Sequence, residues 1–172
     1  MSDDSQGDYW DSITAYRPPE EWIGSVAQWR TPELDLHGYY LREIPGQVWG
    51  LTHLSQLHLY QNRLAALPER LGELAGLTWL NLADNELKTL PDSIGALTRL
   101  TRLDVQNNQL TEVPGGIARL GRLSALSLSG NRISVLPGWL AAMPSLSSLD
   151  VRGNPLSEVP PSLRERFGIE PE

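Results

Sequence analysis

In the stretch LTWLNLADNELKTLP, residues 77–91, Leu80 and Leu82 alternate with Trp79, Asn81 and Ala83. Successive side chains of a strand point to opposite faces, so the two leucines share one face and the remaining three share the other. With the leucines turned to a core, Trp79 stands on the water side. The lettering returns as LSQLHLYQNRLAALP (54–68), LTRLDVQNNQLTEVP (100–114), LSALSLSGNRISVLP (123–137) and LSSLDVRGNPLSEVP (146–160). The leading leucines Leu54, Leu77, Leu100, Leu123 and Leu146 are spaced 23 residues apart. A sixth copy, TPELDLHGYYLREIP (31–45), keeps Leu34, Leu36, Leu41, Ile44 and Pro45. It carries Thr31 and Tyr39 in place of the leading leucine and the asparagine.

One such unit buries only a few leucines and cannot stand alone, whereas stacked units share a continuous core. The pattern predicts one short strand per unit, each about 4.8 Å from the next in a parallel sheet. Asn62, Asn85, Asn108, Asn131 and Asn154 fall where the chain turns out of each strand. Buried backbone groups left unpaired there would cost about 1–3 kcal/mol each, and a carboxamide both donates and accepts. The asparagine column is therefore expected to be structural. The proline closing each unit (Pro45, Pro68, Pro91, Pro114, Pro137, Pro160) fixes φ and blocks further sheet pairing. The halves that follow, such as ERLGELAG (69–76) and DSIGALTR (92–99), space apolar residues three apart, which suits a short helix or 3₁₀ turn on the outer side.

Both ends of such a stack would expose core. Residues 17–29, RPPEEWIGSVAQW, place prolines and acids at a helix start, where geometry and dipole favour them. Trp22, Val26 and Trp29 recur on one helical face, so this segment is expected to cap the first unit. At the far end PPSLRERFGIEPE (160–172) reads as a shorter cap with Leu163 and Phe167 turned inward. Residues 1–16 read as an acidic arm that Tyr9, Trp10 and Tyr16 could pin to the first cap.

The 23-residue period and the L-x-x-L-x-L-x-x-N-x-L lettering resemble the leucine-rich repeat family over roughly residues 31 to 168. The LP followed by an xxLGxL-type half looks like its intracellular group, which includes Ras-pathway and Scribble-type scaffolds. The resemblance implies an α/β solenoid with a parallel sheet on the concave face and short helices or 3₁₀ turns on the convex face. The expected organisation is the acidic arm 1–16, a capping helix 17–30, six repeats over 31–160 and a C-terminal cap 161–172. It also implies a non-catalytic module that binds a protein partner, often in signalling or as a scaffold. Two rival roles are an effector or toxin-system component that masks a target enzyme, and a repeat module of a larger multidomain protein.

Composition narrows these roles. A chain of 172 residues with 40% apolar residues and a net charge of −7 can bury a core and is not disordered throughout. The acidic balance argues against nucleic acid, whose phosphates demand a basic surface. No stretch approaches the roughly 18 apolar residues of a membrane span. The start, MSDDSQGDYW, lacks the apolar run of a signal peptide, and there is no cysteine to oxidise. A cytoplasmic setting is the expectation. Thirteen arginines against the single Lys88 hint at a GC-rich bacterial source.

The water-facing columns carry the candidate site. They run Glu33, Gln56, Trp79, Arg102, Ala125, Ser148; then Asp35, His58, Asn81, Asp104, Ser127, Asp150; then His37, Tyr60, Ala83, Gln106, Ser129, Arg152. A scaffold constraint would act alike on every repeat, yet these columns differ between repeats. Repeats 1–4 show large, varied groups, and repeat 5 is almost blank. Trp, Tyr and Arg dominate binding hot spots, so the expected protein-binding residues are Asp35, His37, His58, Tyr60, Trp79, Asn81, Arg102, Asp104 and Gln106. An outward Trp79 is expected to cost little stability when removed. The His and Asp side chains of this face are expected to be solvated polar groups rather than a catalytic pair or a metal site, because an open sheet encloses no water-free pocket. The Gly115–Gly116 pair lacks the lysine of a phosphate loop. No catalytic residue, metal or cofactor is expected. If the two caps cover the edge strands, the chain is a monomer.

Overall fold

The structure, a computed structural model, describes residues 18–170. The acidic arm 1–16 with Tyr9, Trp10 and Tyr16, together with Arg17 and residues 171–172, lies outside the described residues. Six three-residue strands, β1 Glu33–Asp35, β2 Gln56–His58, β3 Trp79–Asn81, β4 Arg102–Asp104, β5 Ala125–Ser127 and β6 Ser148–Asp150, form one sheet in chain order. Every pairing is parallel and shifts the chain by one period: Leu34, Leu57, Leu80, Leu103, Leu126 and Leu149 stand side by side. Those leucines face the core, and the first five are at most 1% exposed.

Opposite the strands, five 3₁₀ turns (Gly46–Gly50, Glu69–Glu73, Asp92–Ala96, Gly115–Arg119 and Gly138–Ala142) each follow a repeat's closing proline. Each proline holds an extended ψ between 132° and 157°, so the strand direction ends there before the turn begins. Leu71, Ile94, Ile117 and Leu140 point inward from four of the turns and are fully buried.

Three columns recur through the successive repeats, and the first two tie each repeat to the one before it. Asn62, Asn85, Asn108, Asn131 and Asn154 each accept from a backbone N–H of the preceding repeat, on Leu41, Leu64, Leu87, Leu110 and Ile133, at 2.9–3.0 Å. Each also donates back to that repeat's carbonyl, on Leu36, Leu59, Leu82, Val105 and Leu128, at 2.8–3.0 Å. A second column lies just before strands β2 to β6. Ser55, Thr78, Thr101, Ser124 and Ser147 donate a side-chain hydroxyl to the carbonyl 23 residues earlier. A third is conformational. Gly38, Gln61, Asp84, Asn107, Gly130 and Gly153, the residues before the asparagine position, all have φ between 54° and 70°. At Gly130 a Cβ would also crowd the Asn107 carboxamide oxygen, so both the φ and the neighbouring side chain favour glycine there.

Helix α1, Pro19–Trp29, packs on β1 and the first 3₁₀ turn. Its buried stripe is Pro19, Ile23 and Val26, not the expected Trp22, Val26 and Trp29. Trp22 is 43% and Trp29 72% exposed. Both stripes have helical spacing and share Val26; the compact aliphatics close over the leucine edge, and the tryptophans stay at the water boundary.

Helix α2, Pro161–Phe167, in the segment expected to be the C-terminal cap, keeps the spacing of a further half-repeat. Leu163 continues the column of Leu71, Ile94, Ile117 and Leu140, and Ile169 continues the column of leading leucines, both buried. Phe167 is only half-buried. Arg166 falls where Leu74, Leu97, Leu120 and Met143 stood and instead donates to the carbonyls of Ala141, Met143 and Leu146. An arginine at that position satisfies backbone acceptors of the preceding repeat.

Candidate concave-face binding site

Because each strand is short and each pairing is in register, the outward side chains of neighbouring repeats stand close enough to touch across the sheet. They build one connected cluster from β1 to β4. On the first two repeats the His37 ring stacks on Tyr60, centroids 4.5 Å apart and planes within 2°. His37 Nδ1 lies 2.9 Å from Asp35 Oδ1. His58 Nε2 lies 3.4 Å from Gln56 Oε1 and 3.5 Å from Glu33 Oε1. The same ring meets Trp79 edge to face, at 4.5 Å and 85°.

Trp79 is the centre of the cluster. Its Nε1–H donates to Asp104 Oδ2 at 2.8 Å, and the Arg102 guanidinium lies 4.6 Å from its ring centroid. Arg102 Nε donates to the same Asp104 oxygen at 2.7 Å. The indole is thus held from three sides and half-buried, with the leucines Leu80 and Leu82 beneath the sheet fully buried. It faces outward but is not a free surface ring. His58 and Asp104 depart from the expectation of solvated groups: they are only 6% and 5% exposed. The long side chains of adjacent repeats lean over these shorter ones, and a short polar group between two such neighbours loses its water.

Three of the columns' carboxylates and amides also serve the backbone. Asp35, Asn81 and Asp150 each accept the N–H two residues on, from His37, Ala83 and Arg152, at 3.0, 3.1 and 3.2 Å. These turns close the strand end in repeats 1, 3 and 6 and supply a local reason for Asp or Asn there. The Gln106 carboxamide oxygen is buried without a hydrogen-bond partner among the described residues. Repeat 6 carries its own pair. Arg152 grips Asp150 through Nε at 2.9 Å and a terminal nitrogen at 2.8 Å, which holds the Asp150 carboxyl below the ordinary carboxylate range.

The Trp79, Arg102 and Asp104 ridge divides the face into two hollows. One, of about 490 Å³, is lined by Glu33, Asp35, Gln56, His58, Tyr60, Trp79 and Asn81. The other, of about 330 Å³, lies over the blank repeat 5, between Arg102 and Asp150. Glu33 and Gln56, absent from the expected binding residues, line the same hollow; their place in Trp79's own column was the signal. Among the described residues, no group of three or more His, Asp or Glu side chains could hold a metal ion. No helix among them is long and apolar enough to cross a membrane.

The chain is 31% identical to the leucine-rich repeat domain of the type III effector XopL, over 88% of this chain and 54% of that one, with a TM-score of 0.76. It is 26% identical to a leucine-rich repeat protein of Leptospira interrogans, over 88% of this chain and 50% of that one, with a TM-score of 0.69. It is 32% identical to the ectodomain of the Arabidopsis thaliana receptor kinase GASSHO1/SCHENGEN3, solved with Casparian strip integrity factor 2; this covers 87% of this chain and 18% of that one, with a TM-score of 0.72. The chain therefore spans about half the length of the first two and a small part of the third. No curated protein sequence matches it. The sequence profile of the leucine-rich repeat region matches residues 34–129, and that of the single leucine-rich repeat matches 122–143 and 145–165. That fold is commonly a protein–protein interaction module and generally a non-enzymatic scaffold. Register, asparagine column and profile agree across the sheet, and the chain belongs to the leucine-rich repeat family.

Proposed function

We propose that this chain is a non-catalytic protein-binding module whose concave face, over repeats 1–4, holds the partner. The observation that carries this reading is Trp79. The indole is fixed by Asp104, Arg102 and His58 beside an open hollow, so it meets a partner as a pre-ordered aromatic anchor with little side-chain entropy to lose. Tyr60, stacked on His37, also lines the hollow and is pre-ordered by that contact. The structure solved with Casparian strip integrity factor 2 lends support by analogy, since there a similar fold is seen in complex with another molecule. The chain would act as a monomer in the cytoplasm, as a signalling scaffold, without nucleic acid, metal or cofactor. A second reading, that it masks a target as part of an effector or toxin system, draws on its likeness to the XopL repeat domain. Under that reading, or as a module of a larger protein, the same face does the binding.

The test is quantitative affinity capture from lysate of the source organism. Wild-type chain, a Tyr60→Ser/Trp79→Ala variant and a Ser127→Ala/Ser129→Ala variant of the blank repeat serve as baits. Proteins held by wild type and by the serine variant should fall by about tenfold or more with the aromatic variant, as loss of a hot spot requires. Equal capture by all three, with folding intact, would remove the face from the account.

A further inference from the structure

We infer that the hollow over repeats 1–3 receives a cationic side chain of the partner, an arginine foremost, between the Glu33 and Asp35 carboxylates and the Tyr60 and Trp79 rings. The inference rests on the concave-face reading above and specifies the partner's chemistry. The outward columns hold four carboxylates, and the chain treats them unequally. Asp104 is neutralised by Arg102 and Asp150 by Arg152. Glu33 and Asp35 have only imidazoles within ion-pair distance, His58 at 3.5 Å and His37 at 2.9 Å, and no arginine or lysine among the described residues. Both stay about half exposed at the mouth of the hollow. One ridge away, the chain displays how it receives a guanidinium: Arg102 lies over the Trp79 ring and bonds the Asp104 carboxylate at once. A planar, weakly hydrated guanidinium suits that combination of ring face and carboxylate better than an ammonium does. The hollow on the other side of Trp79 offers the same two elements, carboxylate and ring, with an imidazole rather than a guanidinium against each carboxylate. The net charge of −7 favours encounter with a basic segment and disfavours phosphate-bearing partners.

The experiment is a titration of ¹⁵N-labelled protein with the capped peptide Ac-Gly-Arg-Gly-NH2, following the Trp79 indole N–H and the Tyr60 amide. Ac-Gly-Glu-Gly-NH2 is the charge control. The decisive variant is Glu33→Gln/Asp35→Asn, which removes both charges while the introduced carboxamide can still accept the His37 N–H and preserve the local turn. Glu112→Gln, an exposed acid away from the hollow, controls for net charge. The arginine peptide should shift both signals in wild type and in Glu112→Gln, with the Kd raised about tenfold or more in the double variant. An equal response in the double variant, an equal response to the glutamate peptide, or no response in wild type would overturn the inference. The same double variant used as capture bait separates the two levels of reading. Partner loss with both Glu33→Gln/Asp35→Asn and Tyr60→Ser/Trp79→Ala upholds the cation site. Loss with the aromatic variant alone overturns the cation site and leaves the binding face standing. Full capture by both sinks the face and the cation site together.

Discussion

One asparagine in each of repeats 2–6 satisfies several buried backbone groups, and its fixed period makes it legible in the sequence. Asn108 accepts from Leu87 N–H and donates toward the carbonyls of Leu82, Val105 and Gln106. Alanine at this position leaves a buried donor and buried acceptors without partners. Asn108→Ala should therefore cost about 2–3 kcal/mol of unfolding free energy, read by denaturant titration, with partner binding per folded molecule unchanged. Lost binding with an unaltered unfolding midpoint would contradict a structural role. Two companion columns were not legible. The hydroxyls of Ser55, Thr78, Thr101, Ser124 and Ser147 look like ordinary surface residues, and their role appears only once each lies over its predecessor's carbonyl. The positive-φ column was hidden by its chemistry: only Gly38, Gly130 and Gly153 advertise it, while Gln61, Asp84 and Asn107 adopt it because the repeat imposes the turn.

The strands and 3₁₀ turns followed from the sequence because both are tied to a fixed period, and a slip in one repeat would break every later pairing. The capping helix had no such constraint. Its residues offered two apolar stripes, 19/23/26 and 22/26/29, and spacing alone cannot choose between aliphatic and tryptophan faces. The structure makes the choice testable. Ile23→Asp places a charge against the core of the first repeat and should destabilise by about 3 kcal/mol or more, or abolish cooperative melting. Trp29→Ala should stay within about 0.5 kcal/mol of wild type. The reverse ranking in thermal melts would restore the tryptophan stripe. At the other end, Arg166 was unreadable as a cap because it breaks the leucine pattern it occupies. Its three carbonyl partners supply the reason.

Across the whole molecule the stack is quasi-one-dimensional, so each repeat feels mainly its neighbours, and a binding face arises wherever neighbouring outward residues cooperate. Which residues face outward was legible from alternation alone. How deeply they sit was not, because depth depends on partners 23 to 25 residues away in the chain, as when Trp79 reaches Asp104. The burial of His58 and Asp104 is the result. It also alters what removal of the tryptophan should do. A core Trp replaced by alanine costs roughly 3–5 kcal/mol. Trp79→Ala forfeits a cation–π contact and one hydrogen bond to a carboxylate, so the expected loss is about 1–2 kcal/mol, more than the small cost an unanchored outward ring would carry. The central claim is that this anchored ring is there for a partner. It is tested most directly by measuring, on one Trp79→Ala preparation, both the unfolding free energy and the affinity for the protein captured by wild type. The account predicts the modest stability loss together with an affinity loss of about 2 kcal/mol or more. A folded variant that binds as tightly as wild type would contradict it.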